Sequence, residues 1–438
     1  MNSNIRLLLC FLFVLLISQA YAQSSCLNAD RNIRIGLVSQ GLPTTWKIEP
    51  STGFIEIFDE KKKQSVYSGK AAQIVISAMK GGKMKVAVDE RKSLYYFSNE
   101  LLFSPVGRPP INLKVSSGGK KSYSYRGSLA VSPQKGGLRG VNIVDIEDYL
   151  KSVVPSEIYN RAPDAAQQAQ TIAARTYAVR NLKRHSGSEN FQLCDKVHCQ
   201  VYSGIAREIK LATKAVKETN GKILIYGSEP ANTVYHSNCG GYIIDSRAAW
   251  KGSPVPYLLG HYDGVSGQKP FCQYGKLIKQ NQKTEKLPKP QTSITISKMN
   301  AQSKKATHKS FGHRVGMCQD GAIGMAAIGY NARQVLAFYY PGTKMATMNY
   351  AVNGSEPVET PPIVVAAAPR PAQQVSLVAP PNPTQINALR RNSKTVQSNR
   401  SIKDTLKQIA ASRNDSAATS LRKIFWTPGQ PGISRSIY

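Results

Sequence analysis

"RGVNIVDIEDYLKSVV", residues 139 to 154, runs without a break into "PSEIYNRAPDAAQQAQTIAARTYAVRN", residues 155 to 181. Upstream of this stretch apolar residues alternate as on strands, whereas Ile143, Ile146, Tyr149, Leu150 and Val153 recur at helical spacing, so the period changes here. Pro163 and Asp164 then open a second helix, with Ala165, Ala169, Ile172, Ala173 and Thr176 on one narrow face. Small side chains allow close approach of a neighbour, which places that helix at the centre of the fold. Glu157 lies between the two helical stretches. A Pro-Ser-Glu triplet ahead of a helix is ordinarily a start signal, since serine and early acidic residues satisfy free backbone donors. On local grounds, then, Glu157 reads as a first-turn residue, and a chemical role needs other support.

Working outward, Ile33 to about Val131 holds short alternating runs such as "IRIGLV", "FIEIFD", "AAQIVISA" and "MKVAVD", separated by Gly, Lys and Ser. The expected fold class is α+β: a β-rich N-terminal domain over 30–135 and a mixed helix and strand core over 136–350, followed by a disordered basic tail. Within the core, "GIAREIKLATKAVKETNG" reads as a third amphipathic helix stopping at Gly221. "KILIYG" and "ANTVYHSNCGG" read as a strand pair. Residues 267 to 306 read as a lysine-rich surface excursion with a hairpin such as "SITISKM", and "FGHRVGMCQDGAIGMAAIGYNARQVLAFYYPGT" as a glycine-rich turn leading into one helix. From residue 351 a Pro-rich linker leads into a basic tail, in which "SIKDTLKQIAASRN" has the pattern of a short surface helix.

The first residues, with Arg6, an apolar run from Leu7 to Ile17 and small residues at Ala20 and Ala22, have the layout of a signal peptide over 1–22. The apolar run falls short of the roughly 20 residues that a spanning helix needs. Export to a periplasm or cell wall is therefore expected. With 58 Lys+Arg against 26 Asp+Glu among 438 residues, the formal net charge of +32 draws the chain to polyanions. Nucleic acid is disfavoured as a partner, because the sequence carries no zinc-finger spacing, RNP-type motif or recognition helix. An anionic wall or membrane surface suits an exported chain better.

Beyond the signal sequence six cysteines remain, Cys26, Cys194, Cys199, Cys239, Cys272 and Cys318, an even set in a disulfide-permissive compartment. Sequence does not assign their pairing. His185, Cys194, His198 and Cys199 fall within one irregular loop and offer nitrogen and sulfur ligands for a structural zinc; a Cys194–Cys199 disulfide is the competing reading. His236, Ser237 and Cys239 stand at a Gly240-Gly241 turn. They are discounted as a nucleophile-and-base pair for want of a strand-to-helix elbow and an orienting acid.

Several blocks occur in a family-specific order: "YRGSLAV" at Tyr125, "VNIVDIEDYLKSVVPSEI" at Val141, "AQQAQTIAARTYAV" at Ala166, "HCQVYSG" at His198, "HSNCGG" at His236, and "GHRVGMCQDGA" with "YYPGT" from Gly312. From about Ile33 to Thr343 the chain resembles the stage II sporulation protein D (SpoIID/LytB) family. The resemblance implies a peptidoglycan lytic transglycosylase cutting glycan strands that have lost their stem peptides, or a wall-binding enhancer of a separate N-acetylmuramoyl-L-alanine amidase. It implies Glu157 as the catalytic acid, and zinc held around the block matching Cys194 to Cys199. Arg175, Tyr177, Gln200, Tyr202, His236, Ser237 and His313 are the candidate substrate-binding residues. One block departs: where the family reads Gly-His-Gly-Val-Gly-Met-Ser-Gln-Tyr-Gly, this chain has Arg314, Cys318 and Asp320.

Overall fold

The computed structural model describes residues 28–29, 31–89, 92–97, 99–107, 112–117, 121–185, 187, 189–281, 287–291 and 309–350. The expected signal peptide, the "SITISKM" hairpin, and the linker and tail over 351–438 lie outside the described residues. The described chain is α+β, as its sequence texture indicates.

Alternation up to Asp145, joined by a two-residue strand from further along the chain, builds two largely antiparallel sheets. One has seven strands in the order Leu193–Cys194, Asn32–Gly36, Gly137–Asp145, Ser128–Gln134, Leu101–Pro105, Phe54–Asp59 and Gln64–Lys70. The other has six, in the order Tyr123–Arg126, Asn112–Ser117, Thr45–Pro50, Ile74–Met79, Lys83–Val88 and Lys92–Phe97. Because strand side chains alternate between faces, one apolar set from each sheet points inward. Trp46, Ile48, Ile74, Ile76 and Val86 of the second sheet share a core with Ile33, Ile35, Ile55, Ile57, Phe103 and Val141 of the first. The same cluster takes in Tyr149, Leu150, Val153, Ala174 and Ala178, so the apolar core continues across residue 136 into the helical half.

Helix α1 spans Ile146–Glu157. It starts later than the apolar period suggests, because Ile143 is still strand, paired with both Ser128 and Arg34. Asp145 fixes the start: its side chain accepts the Glu147 N–H at 2.8 Å, a standard N-cap. Helix α2, Asp164–Arg180, buries Ala166, Ala169, Ile172, Ala173 and Thr176 and packs against α1. Helix α3 is Lys210–Glu218; the preceding Gly204–Arg207 forms a separate 3-10 turn, and Gly221 beyond it takes φ 67°.

Two helices escape the sequence reading: the short α4, Ser246–Trp250, and α5, Phe271–Lys279, inside what reads as a surface excursion. The single helix expected near the end is two, α6, Gln319–Ile328, and α7, Ala332–Tyr339. Gly329 at φ 112° ends α6, and a reciprocal cap between Asn331 and Gln334 starts α7. Helix α2 also touches α3, α6 and α7, which makes it the hub expected from its small-residue face. Helices α5 and α6 approach at backbone distance through glycine: a Cβ on Gly275 would lie 1.8 Å from the Asp320 oxygen, and one on Gly324 would lie 2.0 Å from the Phe271 oxygen. None of these described helices is long and apolar enough to cross a membrane.

Candidate active site

Glu157 is the last residue of α1, not a first-turn residue of the following helix. Helix α1 runs through Pro155, which is buried, and closes where the Ile158 N–H reaches the Val154 oxygen at 3.0 Å. A helix C-terminus is the negative end of the macrodipole, so it gives a carboxylate none of the stabilisation that an N-terminus would. The half-buried Glu157 carboxyl is pushed up to about 7 by desolvation, against the opposing pull of one donor, the Val201 N–H at 2.9 Å.

Three phenols share this environment. Burial raises Tyr149, Tyr177 and Tyr235, and the charge of Glu157 adds to the rise; Tyr177 reaches about 12. Gln200 ties the set together. Its oxygen accepts from the Tyr149 hydroxyl at 3.1 Å, and its nitrogen donates to the Tyr235 hydroxyl at 2.9 Å and to the Ala174 oxygen at 3.2 Å. Gln200 and Val201 sit on a loop that is itself anchored: the Ser203 N–H donates to Ser152 Oγ at 3.2 Å, and the Tyr202 hydroxyl donates to Asn142 at 2.7 Å.

The same loop carries the expected nitrogen and sulfur ligands. Cys194 and Cys199 are free thiols, so the competing disulfide is not formed. The donor atoms of His185, Cys194, His198 and Cys199 all lie within 4.8 Å of one another. Cys194 Sγ is 3.7 Å from His198 Nδ1; Cys199 Sγ is 3.6 Å from His198 Nδ1 and 3.4 Å from His185 Nε2. A tetrahedron with Zn–S of about 2.3 Å and Zn–N of about 2.0–2.1 Å has S···N edges of about 3.5–3.6 Å, and these three sulfur-to-nitrogen distances are close to that length. The hydrogen bond from Cys199 draws the Cys194 thiol down to about 4, which readies one sulfur as a thiolate.

Among the other sequence candidates, Tyr177 is half-buried and stacks edge-on to Tyr235 at 6.4 Å. His236 pairs with the backbone of Val315 at 3.1 Å through Nδ1, which must carry the proton, leaving Nε2 a buried acceptor with no partner among the described residues. His313 lies 5.4 Å from the His236 ring and 5.3 Å from that of Trp250, and desolvation lowers it to about 3. Ser237 is exposed beside them. Tyr235 and Trp250 were not singled out in the sequence. Tyr235 adjoins His236 in the "HSNCGG" block, and this adjacency is the one signal that marks it.

Three candidates have their polar groups engaged inside the protein: Gln200, as described, and also Arg175 and Tyr202. Arg175 is 0% exposed and grips Glu147 with two bonds of 2.8 and 2.6 Å, while donating to the Lys222 oxygen at 3.0 Å. These bonds tie together α1, α2 and the strand Lys222–Tyr226. Tyr202 is also buried, its ring 5.9 Å from Tyr125 and 5.1 Å from Tyr149. Arg175→Ala removes the cation paired with the buried Glu147 carboxylate, which keeps the Gly221 N–H at 3.2 Å, and should cost about 3–5 kcal/mol in urea unfolding. A loss below about 1 kcal/mol would show that the pair is not a structural tie.

A sheet sandwich thus carries a helical half in which a helix-end acid accepts from a loop that begins at a sulfur and nitrogen cluster. Residues 134–226 match the Stage II sporulation protein (SpoIID) family model. The chain is 28% identical over 270 residues to Stage II sporulation protein D of Bacillus subtilis, covering 49% of this chain and 78% of that one. It is 28% identical over 278 residues to an uncharacterized protein of Brachyspira hyodysenteriae, covering 53% and 75%. A 114-residue segment is 36% identical to the Amidase enhancer of Bacillus subtilis, covering 26% of this chain and 15% of that protein. The match over residues 134–226 and these likenesses support a place in the SpoIID/LytB family.

Proposed function

We propose that the chain is an exported peptidoglycan lytic transglycosylase, cleaving peptide-free glycan to 1,6-anhydromuramic products. The observation that carries this reading is the Glu157 carboxyl, raised to about 7 by burial and touched by one backbone donor. Hydrolytic glycosidases use two carboxyl groups, one acid and one base or nucleophile. An intramolecular attack needs only one, because the muramic C6 hydroxyl supplies the nucleophile from within the substrate. Protonated Glu157 would donate to the departing glycosidic oxygen; as carboxylate it would then take the C6 hydroxyl proton while the anhydro ring closes. A group titrating near 7 serves both steps.

Tyr177, Gln200, His236, Ser237 and His313 are the substrate-binding residues of this proposal. Arg175 and Tyr202 act as positioning residues. His185, Cys194, His198 and Cys199 would hold a zinc ion, which when bound braces the loop carrying Gln200 and Val201.

A second reading, a non-catalytic enhancer docking on wall polymer, is favoured by the segment similar to the Amidase enhancer and by the net charge of +32. Incubating residues 23–438 with peptide-free glycan, followed by mass spectrometry, separates the two. Anhydro-ended products are expected. Reducing ends without the anhydro ring would indicate a hydrolase, and intact glycan together with a faster added amidase would establish the enhancer.

A further inference from the structure

The remaining cysteines of the helical half converge on a second, wholly buried cluster. Cys239, Cys272, Cys318 and Asp263 are each 0% exposed, and their donor atoms lie within 4.8 Å of one another. Cys239 follows the strand Tyr235–His236, Asp263 follows the strand His261–Tyr262, Cys272 lies in the first turn of α5, and Cys318 caps α6. All three sulfurs are free thiols in this structure.

We propose that Cys239, Cys272, Cys318 and Asp263 form a second structural metal site that takes a zinc ion. The donor chemistry is three sulfurs and one carboxylate oxygen, a set that suits a thiophilic divalent ion and excludes magnesium or calcium. Cys239 Sγ is 3.5 Å from Cys272 Sγ and 3.1 Å from Asp263 Oδ2. The edges of a zinc tetrahedron are about 3.8 Å for S···S and about 3.5 Å for S···O, so loading requires expansion by a few tenths of an ångström.

The surroundings are arranged as a second shell. Asp263 is oriented by the Tyr339 hydroxyl at 2.6 Å on Oδ1 and by the Cys272 N–H at 2.9 Å on Oδ2. Cys318 Sγ receives the Cys239 N–H at 3.2 Å and the Gly321 N–H at 3.3 Å, donors that favour a thiolate at the N-terminus of α6. A disulfide would join two of the three sulfurs and leave the third and the carboxylate buried together. One divalent ion uses all four.

The site would clamp α5 to α6 behind the His236 and His313 pair, for His236 lies opposite Cys318 in the parallel pairing of their strands. It also accounts for Cys318 in the departing block, whose other two residues have partners of their own. Cys318 is a ligand; Asp320 beside it is held by Lys279 at 2.9 Å and Asn238 at 2.8 Å; and Arg314, at φ 61°, occupies a left-handed position and donates to the Tyr242 oxygen.

The test is cobalt(II) titration of the full mature chain, read by thiolate-to-cobalt charge-transfer absorption, with zinc counted by mass spectrometry. Cys199→Ser disables the first cluster and should still bind one cobalt with sulfur ligation. Adding Cys272→Ser to it should abolish that band. Should that variant fail to fold, Asp263→Asn in the Cys199→Ser background keeps the bulk and should weaken cobalt binding at least tenfold. A Cys199→Ser chain that binds no cobalt, an unchanged affinity in Asp263→Asn, or a mapped Cys239–Cys272 disulfide in chain purified without reductant would each overturn the proposal. These readouts do not depend on activity, so their failure is distinct from failure of the transglycosylase reading.

Discussion

Glu157→Gln is expected to lower release of anhydromuramic products by about 10²–10⁴-fold while leaving the fold intact. The amide keeps the shape of the carboxyl and can still accept the Val201 N–H, but it neither gives nor takes the reacting proton. The pH profile of the native chain is a second readout. Because the first step needs the protonated acid, kcat/KM should fall as pH rises through about 7. Stability should follow the same group. A carboxyl raised from 4.5 to about 7 binds its proton more tightly when folded, so its contribution is fully present below 4.5 and is lost as pH rises through 7. At pH 8 the Gln variant should therefore be more stable than the native chain, by at most roughly 3 kcal/mol, and by less to the extent that the half-buried carboxyl keeps some hydration. An inactive enzyme that is more stable at pH 8 marks a residue whose desolvation serves chemistry. Undiminished release by the variant would remove Glu157 from the mechanism.

Stripping the proposed zinc from the first cluster is expected to have the largest effect on stability. A structural zinc contributes directly to folding, and losing even about 4 kcal/mol of it should lower Tm by roughly 10 °C in a domain of this size. Cys199 is adjacent to Gln200 and two residues from Val201, so release of the ion should also free the N–H that holds Glu157. Activity and Tm should fall together on chelation and both return with added zinc. Cys199→Ser should show the same pair of losses without recovery. A chelated chain with unchanged Tm, or a mapped Cys194–Cys199 disulfide, would exclude the brace.

The sequence by itself determined the α+β class, the strands from Ile33 to Val131, the hub helix from Asp164, and the gathering of His185, Cys194, His198 and Cys199. These are local signals. Alternation and helical period act between neighbours, and His185 to Cys199 are close along the chain, so one loop suffices to gather them. Glu157 was legible as a residue but not in its setting: the Pro-Ser-Glu pattern points to a helix start, whereas α1 continues through Pro155 and makes Glu157 its end. Arg175 likewise read as a cleft residue, because nothing local reveals that Glu147, 28 positions away, will bury it. Only the tertiary structure decided the second cluster. Cys239, Asp263, Cys272 and Cys318 come from four separate elements, and it is the backbone-close packing of α5 on α6 through Gly275 and Gly324, a long-range contact with no sequence period, that brings their donor atoms together.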